Sequence, residues 1–248
     1  MSKQLLKRLG RRAGYRIERW RPANRFNAMG DTLELLRLGG FRPGIVIDAG
    51  ANVGDWTRMA LKVFPEAAVH LIEPQPGCQP ALERLARTSP SLTVHPVALT
   101  EPGQQRLAFT GGASYRGTGV HVAQPDEPDV EFECRATTLD ELFAGRIVRA
   151  DRTLLKMDME GHELSALRGA RTLLEAIEVL VVEVQMYDIN DSGVSPVFRE
   201  VFTFLADRGF ELHDVACMGW RRRDMRMCVM DAVFARTGSL LSVDHAWL

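Results

Sequence analysis

"VIDAGANVGDWT", residues 46–57, begins as an apolar strand, turns on glycines and continues into what reads as a helix. That is the shape of a nucleotide-binding βα unit, in which a helix N-terminus and a closely approaching backbone make a ligand site. A dinucleotide site wants G-x-G-x-x-G, because the second glycine lets the backbone press against a pyrophosphate. Here the pattern is Asp48-x-Gly50-x-Asn52-x-Gly54. Asn52 brings a Cβ and an amide to the close-approach position, and Asp48 sets a carboxylate where a pyrophosphate would be repelled. A ligand with an ammonium and ribose hydroxyls, such as S-adenosylmethionine, suits an acid beside a loop of backbone N–H groups better. The plain alternative is a strand-to-helix turn that holds nothing.

Working outward, "GIVIDAG", "AAVHLIEP", "SLTVHPVAL", "RTLLKMDMEG" and "IEVLVVEVQ" are short runs rich in β-branched residues, mostly separated by helix-like stretches such as "GCQPALERLART". Alternation at this pitch predicts a doubly wound parallel sheet. The C-terminal runs "FELHDVACMGW" and "MCVMDAVFART" lie close together around the arginine-rich "RRRDMR", which suits an antiparallel pair. Residues 103–136 alternate around a Gly/Ser/Pro/Asp-rich centre and read as an inserted hairpin and loop. Within it, the loop of Ser114, Tyr115 and Arg116 carries too little pattern to name a ligand.

The 248 residues suit one α/β domain, with 46% hydrophobic and 25% charged residues as in ordinary globular proteins. No apolar run approaches the ~20 residues of a membrane helix. Cys78, Cys134, Cys217 and Cys228 form no C-x-x-C pair and no metal-spaced cluster, which fits a reducing cytoplasm. The net charge of -1 hides a contrast: residues 1–30 hold nine Lys or Arg against Glu18 alone, a segment charge of +8 on a body of -9. Residues 1–40 therefore read as a basic arm and helical cap before a main domain over 41–248. The arm either packs on its own acidic body or meets an anionic substrate or the headgroups of the inner membrane face.

Ligands of open parallel sheets sit beyond the carboxyl ends of the strands. Asp48, Glu73, Asp158 and Glu183 all fall there, and Glu73 lies 19 residues beyond Gly54, where a carboxylate can bind both ribose hydroxyls. "LLKMDMEGHELSALRGA" (154–170) packs Asp158, Glu160 and His162 between a strand and a helix, with Gly169 placed to end that helix as a left-handed cap. Together with "VIDAGANVGDWT", "HLIEP", "VALTEPGQ" and "TTLDEL", this stretch resembles the FkbM family of class I S-adenosylmethionine-dependent methyltransferases. The resemblance runs from about Gly44 through Glu183, and the K-x-D-x-E-G-x-E run at Lys156–Glu163 is its most specific part. It implies a Rossmann-like, mostly parallel seven-stranded sheet with one antiparallel strand and helices on both faces. It also implies that Asp48, Gly50, Asn52 and Gly54 surround the methionine part of the cofactor, Glu73 its ribose, and Val97, Ala98 and Leu99 its adenine. The acceptor it implies is a hydroxyl of a sugar, glycolipid or polyketide-type metabolite.

Such a hydroxyl is a weak nucleophile that needs its proton removed. His162 is the first candidate base, since the N-terminal end of a helix should lower its pKa and keep it neutral. Asp158 serves as base or holds His162, and Glu160 caps or orients. Asp158 with Glu183 offers an alternative, an oxygen-rich site for Mg²⁺. Two other readings stay open: an RNA methyltransferase using the arm, although nucleic acid fits the acidic body poorly, and a non-catalytic cofactor-binding protein.

Overall fold

The computed structural model describes residues 25–111, 121–123, 130–189 and 196–243. Most of the basic arm, the Ser114–Arg116 loop and the C-terminal five residues lie outside these. In chain order, helix α1 (Arg25–Leu38) precedes strand β1 (Ile45–Ala49), α2 (Asp55–Val63), β2 (Ala68–Ile72), α3 (Gln79–Ala86) and β3 (Leu92–His95). Strands β4 (Ala98–Leu99), β5 (Arg106–Thr110), β6 (His121–Val122) and β7 (Phe132–Thr137) follow. Helix α4 (Leu139–Phe143), β8 (Thr153–Met157), α5 (Glu163–Arg168), β9 (Ile177–Gln185), α6 (Phe198–Ala206), β10 (Phe210–Trp220) and β11 (Met227–Arg236) complete the order.

The main sheet has seven strands in the order β10-β11-β9-β8-β1-β2-β3. All run parallel except β11, which is antiparallel to both β9 and β10. This is the Rossmann-like sheet with one reversed strand that the sequence predicts. Successive residues of the central strands bury on opposite faces, so both faces need cover. Ile47, Leu155 and Leu180 pack with Leu164, Leu167 and Leu205 of α5 and α6 on one side. Val46, Leu154 and Val181 pack with Leu33 of α1, Trp56 of α2 and Leu82 of α3 on the other. Helix α1 thus belongs to the core of the domain, although it lies within the segment read as a cap.

"SLTVHPVAL" reads as one strand, but the structure divides it. β3 stops at His95, and past Pro96 the chain enters a second sheet of order β4-β7-β5-β6. Proline has no N–H to continue a ladder. In this sheet β5 and β7 pair antiparallel, Arg106 opposite Arg135, within the segment read as an insertion. "TTLDEL" forms a capping box: Thr138 Oγ1 accepts from the Glu141 amide at 3.0 Å and Glu141 accepts from the Thr138 amide at 3.2 Å. Among the described residues no helix is long and apolar enough to cross a membrane.

Candidate active site

Past β1 the chain makes three left-handed turns in five residues, at Gly50 (φ 78), Asn52 (φ 49) and Gly54 (φ 85). A Cβ at Gly54 would meet Leu85 at 2.6 Å, so that glycine lets α3 pack close. The amides of this loop are all engaged inside the protein. Those of Gly50 and Ala51 donate to the Ile72 carbonyl, Asn52 to Glu73 Oε2 at 2.8 Å, Val53 to Asn52 Oδ1 and Gly54 to the Ala51 carbonyl. A phosphate would find no unengaged backbone amide between Gly50 and Gly54. The ligand-facing loop of N–H groups expected from the sequence is therefore absent, because the neighbouring strand and Glu73 already take them.

Glu73 is 2% exposed, and its second oxygen accepts from the Gln75 amide at 2.9 Å. Burial raises its pKa while these amides oppose the rise. A carboxylate oxygen has two lone-pair positions, so each keeps one for a ligand. Glu73 lines a cleft of about 310 Å³ together with Gly50, Asn52, Ala98, Asp158, Glu160 and His162. Residues far apart in sequence are brought together there, and Val97, Leu99 and Phe109 supply an apolar wall.

Asp48 and Gly54 are not on that wall. Asp48 is fully buried beneath the loop, where Thr57 Oγ1 donates to its Oδ2 at 2.5 Å and the Lys156 ammonium stands 3.3 Å from its Oδ1. Lys156 also donates to the Gly50 carbonyl at 3.0 Å and lies 3.6 Å from Asp158 Oδ2. One buried ammonium thus ties the end of β1, the glycine loop and the end of β8. Asp48 has a supporting place in this arrangement and not the ligand contact expected of it. Burial pushes its pKa up, and Lys156 and Thr57 oppose that.

After β8 the chain turns left-handed twice in succession, at Glu160 (φ 53) and Gly161 (φ 96). A non-glycine residue in this region carries roughly 1–3 kcal/mol of strain, a cost met at functional sites when the surroundings enforce it. Glu163 enforces it here: its Oε1 accepts from the Met159 amide at 2.7 Å and the Gly161 amide at 3.4 Å, gripping the chain on both sides of Glu160. The capping and orienting role expected of Glu160 therefore falls to Glu163, which leaves Glu160 facing the cleft. Glu163 closes the K-x-D-x-E-G-x-E run, yet its spacing does not reveal which of the two glutamates turns inward. Burial lifts its pKa to about 7.

His162 is the N-cap of α5, one residue before the helix. Its pKa is lowered to about 4 by burial, with Glu101 opposing. The imidazole is neutral as expected, but desolvation rather than the helix dipole makes it so. Its Nε2 lies 3.4 Å from Thr100 Oγ1, which donates to Gln104 Oε1 at 2.8 Å. The Thr100 oxygen is then left to accept, which assigns the proton to Nε2 and the lone pair to Nδ1. Gly169 is not the left-handed cap expected of it, having φ -86. It is there because a Cβ would strike the Thr100 carbonyl oxygen at 2.2 Å, so this glycine lets α5 approach the residue that orients His162.

The Mg²⁺ alternative finds no geometry to support it. Asp158 lines the cleft, whereas Glu183 lines a neighbouring cavity. Among the described residues no group of three or more His, Cys, Asp or Glu converges to hold a metal.

The chain is 26% identical over 199 residues to methyltransferase sdnD of Sordaria araneosa, covering 67% of this chain and 73% of that protein. Among solved structures, methyltransferase FkbM from Methylobacillus flagellatus KT is 19% identical with a TM-score of 0.46, covering 78% of this chain and 43% of that one. Aeropyrum pernix fibrillarin, solved with natively bound S-adenosyl-L-methionine, is 15% identical with a TM-score of 0.45, covering 84% and 76%. The methyltransferase FkbM domain model matches residues 48–212, from the carboxylate that Lys156 neutralises to the start of β10. That match spans more than half of the chain, and the protein belongs to the FkbM methyltransferase family.

Proposed function

We propose that the protein transfers a methyl group from S-adenosylmethionine to a hydroxyl of a small-molecule or glycan acceptor. The observation that carries this is the polar wall of the cleft: Glu73, Asp158 and Glu160 present carboxylates, while the loop amides that would hold a phosphate are already engaged. Such a wall suits a ligand that brings an ammonium and ribose hydroxyls. Glu73 would hold the ribose, and Val97, Ala98 and Leu99 the flat face of the base.

When bound, the cofactor supplies a methyl group activated by a sulfonium. The chain must align the acceptor oxygen and take its proton. An alcohol becomes strongly acidic as its oxygen gains a methyl group, so even an imidazole with a pKa near 4 is basic enough to take that proton. His162 Nδ1 is the proposed base, and Thr100 fixes the ring.

Calorimetry with S-adenosylmethionine and with NAD tests the reading. The expected result is binding of the first alone, weakened about 10- to 100-fold in Glu73→Ala, as befits lost hydrogen bonds to a charged group. Unchanged affinity in that variant, or preference for NAD, refutes it.

A further inference from the structure

Beyond Glu160 lies a larger cavity of about 810 Å³, at the carboxyl ends of β9 and β10 and the entry to β11. It shares Glu160 with the first cleft, so the two meet at the strained loop after β8. Its lining divides by residue type, with Glu160 on the loop after β8, Glu163 at the start of α5 and Glu183 on β9, and with Arg221, Arg222 and Arg223 on the β10–β11 turn.

These arginines are not equivalent. Arg221 is taken by Asp224 through two hydrogen bonds, Nε to Oδ1 at 2.7 Å and a terminal nitrogen to Oδ2 at 2.5 Å. Among the described residues Arg223 reaches only that same Oδ2, at 4.0 Å, and its side chain is 77% exposed. Arg222 is exposed and has no ion-pair partner among the described residues. Two guanidinium groups at the mouth of a concavity are thus left with a share of one carboxylate already in use. Guanidinium is the side chain best matched to planar two-point recognition of carboxylate and phosphate.

The turn that carries them is held in shape. The Arg221 amide donates to the Arg226 carbonyl at 3.0 Å, the Met225 amide to the Arg221 carbonyl at 3.0 Å, and the Arg226 amide to Asp224 Oδ1 at 3.1 Å. The Trp220 indole, 40% exposed, lies on the same lining and offers a flat apolar surface. Tyr187 offers none on the face that Arg226 covers at 4.0 Å.

We propose that this second cavity is the acceptor site, and that the acceptor is a hydroxylated ring compound bearing an anionic group, a phosphoester or a carboxylate. Arg222 and Arg223 hold the anion, Trp220 the ring face, and Glu160 marks where the hydroxyl enters the first cleft. This rests on the methyl-transfer reading for its chemistry, not for its binding. The volume falls within the ~300–1,000 Å³ typical of small-molecule sites.

The test follows the Trp220 indole N–H by nitrogen-15 NMR in the full chain saturated with S-adenosylhomocysteine, the peak being identified with Trp220→Phe. Glucose 6-phosphate, glucuronate and glucose are titrated in turn. Saturable shifts with the phosphate or the carboxylate and none with glucose support the site, and the tighter of the two identifies the anion. Arg222→Ala with Arg223→Ala should weaken that binding about tenfold or more, with S-adenosylhomocysteine affinity unchanged as the check on folding. Four results overturn the proposal: no shift with either anion, equal binding of glucose, undiminished anion binding in the double variant, or an RNA oligonucleotide moving Trp220 at lower concentration than either sugar. Failure of S-adenosylhomocysteine to bind while the anion shifts persist overturns the methyl-transfer reading and leaves the anion site standing.

Discussion

Gly50 and Asp158 meet backbone to backbone: a Cβ placed on Gly50 would stand 1.9 Å from the Asp158 carbonyl oxygen. The contact presses the glycine loop onto the turn that carries the Asp158, Glu160 and His162 side chains, and the Asp158 amide reinforces it by donating to the Ala49 carbonyl at 3.1 Å. Gly50→Ala must separate these segments and withdraw the Asn52 amide from Glu73. We expect cofactor affinity to fall more than about tenfold and stability by roughly 1–3 kcal/mol or more. Gly103→Ala is the control, since Gly103 has φ 100 with nothing within 4 Å of its would-be Cβ. Urea unfolding with calorimetry separates the two, and equal effects in both variants would refute the contact's importance.

Lys156→Met should destabilise the fold by about 3–5 kcal/mol, because it strands the Asp48 carboxylate in the core. Adding Asp48→Asn should recover much of that loss, since no buried charge then remains. Denaturant midpoints of the three variants decide it, and a double variant less stable than Lys156→Met would count against the ion pair.

His162→Ala should lower turnover by about 10²–10⁴-fold with cofactor affinity little changed, the usual worth of a proton acceptor. The pH profile carries a second signature. Burial keeps the ring unprotonated down to about pH 4, so wild-type turnover should stay level through pH 6.5, the ordinary histidine range, and fall only as pH 4 is approached. A fall centred near 6.5 would point to another base. EDTA should leave the rate unchanged.

Stability should respond to pH in two opposed ways. His70 and His162 both have pKa values lowered from 6.5 to about 4, chiefly by burial, so the unfolded chain binds more protons and stability is lost as pH falls from 6.5 toward 4. Glu163, raised from 4.5 to about 7, works the other way: the folded chain holds the extra proton, and stability is lost as pH rises through that range. Glu163→Gln keeps an acceptor for the two amides but cannot titrate. Its stability relative to wild type should therefore climb between pH 5 and pH 7 in urea titrations, and parallel profiles would contradict the assignment.

What could be read in the sequence was local order and strand-end position. The spacing from Gly54 to Glu73 placed a carboxylate at the second strand's end, and the structure sets it in the cleft. Asp48 stands at an equivalent strand end and is buried instead, because Lys156, from a strand over a hundred residues on, reaches it. Composition near Asp48 carries no trace of that partner. Gly169 was legible as a glycine needed near a helix end, but its reason, the Thr100 carbonyl across the gap, belongs to another element. The same limit hid the second cavity. "RRRDMR" reads as a polar turn, and only the parallel course of β9 and β10 carries it to the rim beside Glu160.

The reversed strand β11 also bears on how this protein can diversify. Parallel strands must be joined by long crossovers whose helices cover the sheet, so altering such a join disturbs the core. Because β11 runs back beside β10, the two are joined instead by a short turn at the end of the sheet where the second cavity opens. Mutation can lengthen, shorten or recharge that turn without moving a covering helix or touching Glu73. Relatives would then be expected to keep one methyl donor while exchanging acceptors, with the tip of this hairpin as the interchangeable part.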